Sequence, residues 1–123
     1  MMNEKEKEYM KLRLATCFKK ILQNNKLTGQ KNKDKDIEDI SLVDTMRQLE
    51  AASGLSFTII QTIFVGKRDP QFTTLMTLIE ALGLTLPKFS SLFEKVTDGE
   101  IKKTIEEIAI GKRKPVKTKS KRS

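Results

Sequence analysis

The chain has no histidine and a single cysteine, Cys17, among its 123 residues. Without histidine it lacks the usual general base and the usual metal ligand. One thiol cannot close an internal disulfide. Cys17 falls among Leu14, Phe18 and Ile21 at helical spacing, which predicts a buried core thiol in a reducing compartment. Prolines number only three, and no alternation of β-branched residues is sustained, so strands are not expected and the class reads as all-α. No apolar run approaches the length of a bilayer span, and residues 1–9 are mostly charged, without the apolar stretch of a leader peptide. The phrase VGKRDP lacks both the earlier glycine and the Ser or Thr after Lys67 that a phosphate-binding loop requires. A calcium loop is excluded around Asp34, Asp36 and Glu38, because Asp39 stands where the sharp turn needs glycine and Thr45 where a bidentate glutamate is needed. These absences argue against an enzyme, a metal site, a bound cofactor and membrane insertion.

What the chain has in excess is positive charge, and its location matters more than its sum. The net charge is +8, yet seven of the 24 cations (Lys112, Arg113, Lys114, Lys117, Lys119, Lys121 and Arg122) lie beyond residue 110 with no acid among them. The first 110 residues therefore carry 17 cations against all 16 acids and are nearly neutral. A tail of Lys, Arg, Ser and Thr cannot bury apolar surface and is expected to be disordered.

Apolar periodicity divides the rest into helices. Met10, Leu14, Phe18, Ile21 and Leu22 form one stripe, predicting a first helix that starts near Glu4 or Lys5 and meets stop signals at Asn24, Asn25 and Gly29. The polar run 29–39 reads as a surface loop or an irregular helical lead-in, within an insertion that spans 29–41. A second helix is predicted over 42–53, with Ser41 and Asp44 as a capping pair and Leu42, Met46 and Leu49 facing inward. Gly54 ends it. Ser56 then caps a third helix, 57–65, which buries Ile60 and Ile63 and leaves Phe57, Thr58, Gln61 and Thr62 outward, with Gly66 as its stop. Phe72, Leu75, Met76, Ile79 and Leu82 define a fourth helix. Thr85 caps a fifth, with Pro87 in its first turn and Leu86, Phe89, Leu92, Phe93 and Val96 on its buried face. A last helix is indicated from Asp98 to Ala109. Its stripe of Ile101, Ile105 and Ile108 fits either packing on the domain or a seam between two copies.

The phrase LEAASGLSFTIIQTIFVGKRDP followed by TTLMTLIEALGLTL resembles the Cro and phage-repressor type of helix-turn-helix domain, also called XRE-like, over roughly residues 14–96. The resemblance implies a five-helix, lambda-repressor-like domain at 9–97, flanked by a charged extension (1–8), an extra helix (98–110) and the basic tail (111–123). It also implies that the third helix enters the major groove of double-stranded DNA. Phe57, Thr58 and Thr62 match the base-reading positions; Ser56 and Gln61 join them as polar neighbours, and Lys67 and Arg68 fall where a flanking phosphate is held. Three features depart from the family: the polar run 29–41 between the first two helices, Glu50 where Ala is preferred, and a third helix without Arg, Lys or Asn. Guanine reading from within this helix is thereby excluded. Gln61 toward adenine, the two threonines, and Phe57 on a thymine methyl describe an A/T-leaning or weakly selective reader.

The expected protein is thus a cytoplasmic, nucleoid-associated transcriptional regulator, acting as a homodimer, with the tail adding sequence-independent affinity. The rival expectation keeps the helix-turn-helix as a scaffold for a protein partner, as in an antitoxin-like or adaptor protein, with Phe57 and Phe64 exposed for that contact.

Overall fold

The first helix, α1, is the spine on which the other elements are hung. In the computed structural model, residues 2–35 and 42–122 are described, with side chains only as far as Gly111. Asn3 starts α1 (Glu4–Asp34) through a capping box, its side chain accepting from the Glu6 N–H at 2.9 Å while its own N–H donates to Glu6 at 3.3 Å. Acids fill the first turn and Lys31 and Lys33 the last, both favourable to the helix dipole.

The expected stop near Gly29 does not occur: α1 continues to Asp34. Asn24 remains helical, its carbonyl accepting from the Thr28 hydroxyl, and the Asn25 side chain donates instead to the Val43 carbonyl at 2.7 Å. Gly29 is used for close approach. A Cβ there would lie 3.1 Å from the Asp44 carboxylate and 3.2 Å from the Leu42 side chain. Those contacts hold 42–44 outside any helix, so α2 (Met46–Ser53) begins later than the sequence suggested. Its N-cap is Thr45 rather than Ser41, with the hydroxyl accepting from the Gln48 N–H at 3.1 Å. Residues 36–41, including Ser41 and the end of the expected loop, lie outside the described residues.

The remaining helices are α3 (Phe57–Phe64), α4 (Phe72–Ala81), α5 (Leu86–Glu94) and α6 (Asp98–Arg122), and no strand occurs among the described residues. Ser56 and Thr85 cap α3 and α5 as expected. Helix α1 packs on α3, α5 and α6, while α2 packs on α3 and α4. At the centre stands Phe18, fully buried, with ring centroids 5.6 Å from Phe64 and 5.2 Å from Phe89. Burying such a ring contributes roughly 2–3 kcal/mol before any specific stacking. Leu49, Ile60, Ile63, Leu78 and Ile79 are the other large side chains of the core that are fully buried.

Three apolar stripes are adjusted. In α4 Leu78 takes an inward place and Phe72 is 64% exposed at the helix start. Leu86 likewise stays on the surface of α5, whose buried residue is Phe89. In α6 the inward positions are Ile101 and Thr104, and Ile105 faces out. Cys17 is buried as expected, and desolvation pushes its thiol up to about 11 against the weaker opposing pull of Lys20 and Arg13. The backbone of α6 is helical to Arg122; the tail cations fall beyond the described side chains.

Candidate nucleic-acid interface

Helices α2 and α3 meet across Gly54 and Leu55, a turn made by one left-handed glycine. Gly54 has φ +76° and donates its N–H to the Glu50 carbonyl at 3.0 Å. Glu50, at the position where a small residue was expected, keeps its carboxylate at the surface, 3.3 Å from the Arg47 guanidinium. The Ser56 hydroxyl accepts from the Ile59 N–H at 3.2 Å, so its oxygen serves the helix start before anything outside.

Helix α3 sorts its side chains cleanly. Ile60, Ile63 and Phe64 are at spacings of three and one, hence on one face, and all three are buried. This corrects the expectation for Phe64: it is not exposed for a partner but stacked on Phe18. Thr58 and Gln61 are exposed, and neither side chain makes a hydrogen bond among the described residues. Thr62 is turned back, its hydroxyl donating to the Ile59 carbonyl at 2.9 Å or the Thr58 carbonyl at 3.0 Å. Its oxygen also accepts from Arg68 Nε at 2.9 Å.

That last bond belongs to the helix end. Lys67 N–H donates to the Thr62 carbonyl at 2.9 Å and Gly66 N–H to the Ile63 carbonyl at 3.1 Å, the paired bonds of a Schellman ending. Gly66 is required there twice over. Its φ is +72°, and a Cβ would meet the Leu12 side chain of α1 at 2.8 Å. With the turn fixed against α1, Lys67 and Arg68 are exposed beside the outward side chains of α3. Four of the expected residues, Thr58, Gln61, Lys67 and Arg68, are thus exposed on one short helix and its ending, Phe57 is half-buried at the helix start, and Ser56 and Thr62 spend their oxygens on the scaffold.

Sequence reasoning missed Arg47. From the first turn of α2 its guanidinium carbon lies 4.0 Å from the centre of the half-buried Phe57 ring, and its side chain is 74% exposed. The two residues are ten apart in sequence and meet only because the turn folds α3 back on α2, so no local pattern announces the pair.

Among the described residues no three His, Cys, Asp or Glu side chains gather as a metal site, and no helix is long and apolar enough to cross a membrane. A protein-family model described as Helix-turn-helix matches residues 44–89, narrower than the span of the sequence resemblance and exclusive of α1 and α6. No curated protein and no solved structure matches the chain. The α2–turn–α3 geometry and that match together identify residues 44–89 as a helix-turn-helix domain of the Cro and phage-repressor (XRE-like) type, a family of DNA-binding regulatory domains.

Proposed function

We propose that the protein is a sequence-reading transcriptional regulator that places α3 in the major groove of duplex DNA. The observation that carries this reading is the division of labour on α3: Thr58 and Gln61 stand outward with their side-chain hydrogen-bonding groups unspent among the described residues, while every apolar residue from Ile60 to Phe64 is turned into the core. Gln61 suits the N6/N7 edge of adenine, Thr58 accepts or donates to several bases, and Phe57 offers an apolar surface to a thymine methyl. Lys67 and Arg68 flank them as phosphate contacts, with Arg68 held in place by Thr62. The protein acts in the cytoplasm on the nucleoid as a homodimer, presenting two α3 helices to major grooves about 34 Å apart on a two-fold site. The tail cations from Lys112 to Arg122 add affinity by displacing counterions from the duplex.

The test is selection of bound duplexes from a random pool at two salt concentrations, using the full chain and a Thr58→Ala, Gln61→Ala double variant. An enriched two-fold site that is lost in the variant supports groove reading. Binding that enriches no sequence and vanishes with salt overturns it and leaves the tail as the only contact. Cutting the chain after Ile110 is expected to flatten the salt dependence and leave the preferred site unchanged.

A further inference from the structure

Helix α3 carries no cation of its own between Phe57 and Phe64, yet a guanidinium is parked at its first residue. We propose that Arg47 is a phosphate-binding residue of the DNA interface, held in a receiving position by the Phe57 ring and kept occupied, until DNA arrives, by Glu50. This assignment rests on the groove reading of α3 and deepens it.

Three observations carry it. The guanidinium lies 4.0 Å above the ring centroid, a separation at which the ring face attracts the cation and fixes its plane. The Arg47 side chain is nevertheless 74% exposed, so the stacking orders the group without burying its donors. Its one bond among the described residues runs from Nη1 to Glu50 Oε1 at 3.3 Å, long for a charge-assisted bond and with the carboxylate itself 37% exposed. A phosphate, offering two or three oxygens to a planar fork, is a better acceptor than this single distant contact.

Position in the fold selects phosphate over base. In a helix-turn-helix the second helix of the motif meets base edges through its N-terminal residues, and the first crosses the backbone. Phe57 is the first residue of α3 and Arg47 the second of α2. Arg47 thus stands on the backbone-crossing helix and next to the base-facing end of its partner. It supplies on that side what Lys67 and Arg68 supply at the other end of α3.

The experiment compares the full chain with Arg47→Gln, Arg47→Lys and Glu50→Gln, measuring affinity for the selected duplex and for a scrambled duplex across a salt series. Arg47→Gln is expected to weaken both duplexes by about tenfold and to reduce the salt slope by about 0.9, the value of one phosphate contact. Arg47→Lys is expected to restore the slope but only part of the affinity, because an ammonium neither stacks nor binds two oxygens at once. Glu50→Gln, which releases the guanidinium, is expected to tighten both duplexes by a few-fold. An unchanged salt slope in Arg47→Gln overturns the proposal, and so does a loss confined to one base pair, which would make Arg47 a base reader. Those results leave the groove reading standing so long as the Thr58→Ala, Gln61→Ala variant still loses its site. A wild-type chain that binds no duplex overturns both. Equal thermal melts of all four proteins show that the comparison concerns contact and not folding.

Discussion

The contact between α1 and α6 is polar at its centre, whereas the buried residues of α2 and α3 are apolar without exception. In the first, the buried hydroxyls of Thr16 and Thr104 lie 2.8 Å apart, Lys20 meets Glu100 at 2.8 Å, Lys19 approaches Glu107 at 3.9 Å, and Tyr9 bonds to Asp98. Arg13 adds a further bolt nearby. It donates to the Phe93 and Glu94 carbonyls at the end of α5 and lies 5.1 Å from the Phe93 ring. In the second, Leu49, Ile60, Ile63 and Phe64 hold the helices, and caps and a Schellman ending complete the backbone bonds. The difference teaches where hydrogen-bonding capacity goes. At the α1–α6 seam it is consumed in fixing one helix on another; on α3 the buried face is apolar, and the exposed side chains of Thr58 and Gln61 make no hydrogen bond among the described residues.

The comparison breaks most severely at its apolar side. Ile60→Ala empties a fully buried site and is expected to cost about 4 kcal/mol, seen as a large fall in the urea midpoint. A loss below about 1 kcal/mol would mean that the helix pair is held by something other than its core. Next comes the turn after α3. Gly66→Ala meets both a left-handed backbone and the Leu12 side chain, and is expected to destabilise by about 3 kcal/mol. Gly54→Ala has the same φ problem but open space around it, so about 1 kcal/mol is expected there. Equal effects would show that the Leu12 contact relaxes freely.

Smaller effects are expected at the polar seam. Thr16→Val and Thr104→Val should each cost about 1 kcal/mol. Each hydroxyl also has a carbonyl partner, Leu12 for Thr16 and Glu100 for Thr104. The double variant should therefore fall short of the sum, and a double-mutant cycle measures the shared bond directly. The smallest effect is a pH dependence. The hydrogen bond from Lys20, followed by that from the Thr97 N–H, holds the Glu100 carboxyl below its ordinary range. A lowered carboxylate contributes stability that is present above about pH 5 and is lost as pH falls through the lowered value. Both partners are more than a third exposed, so less than about 1 kcal/mol is involved. Comparing acid titrations of wild type and Glu100→Gln isolates it.

Features whose chemistry is local were legible in the sequence. Ser56 and Thr85 cap the helices they were expected to cap, Ile60 and Ile63 face inward, and Gly54 and Gly66 both adopt positive φ at the helix ends where they were expected. What could not be read depends on a neighbour distant in the chain. Gly29 looks like a stop, but the crossing of 42–44 makes it a packing glycine inside a longer helix. Phe64 looks outward by itself and is drawn inward by Phe18, 46 positions earlier. The bond between Thr62 and Arg68 is invisible until the turn at Gly66 is in place, and Arg47 reveals nothing until the turn brings Phe57 beneath it. The helix-turn-helix was therefore visible as a family pattern, while the assignment of individual polar groups to scaffold or surface was not.

The outward side chains on α3 also bear on how such a protein diverges. The Thr58 and Gln61 side chains make no hydrogen bond among the described residues, so replacing them leaves the caps, the core and the turn at Gly66 as they are. Their identities can drift from one lineage to another at little thermodynamic risk, whereas Ser56, Thr62 and Gly66, only a few positions away, are anchored by the bonds they make. The outward side of this one helix is an editable label on a fixed frame, and related chains are expected to differ there first.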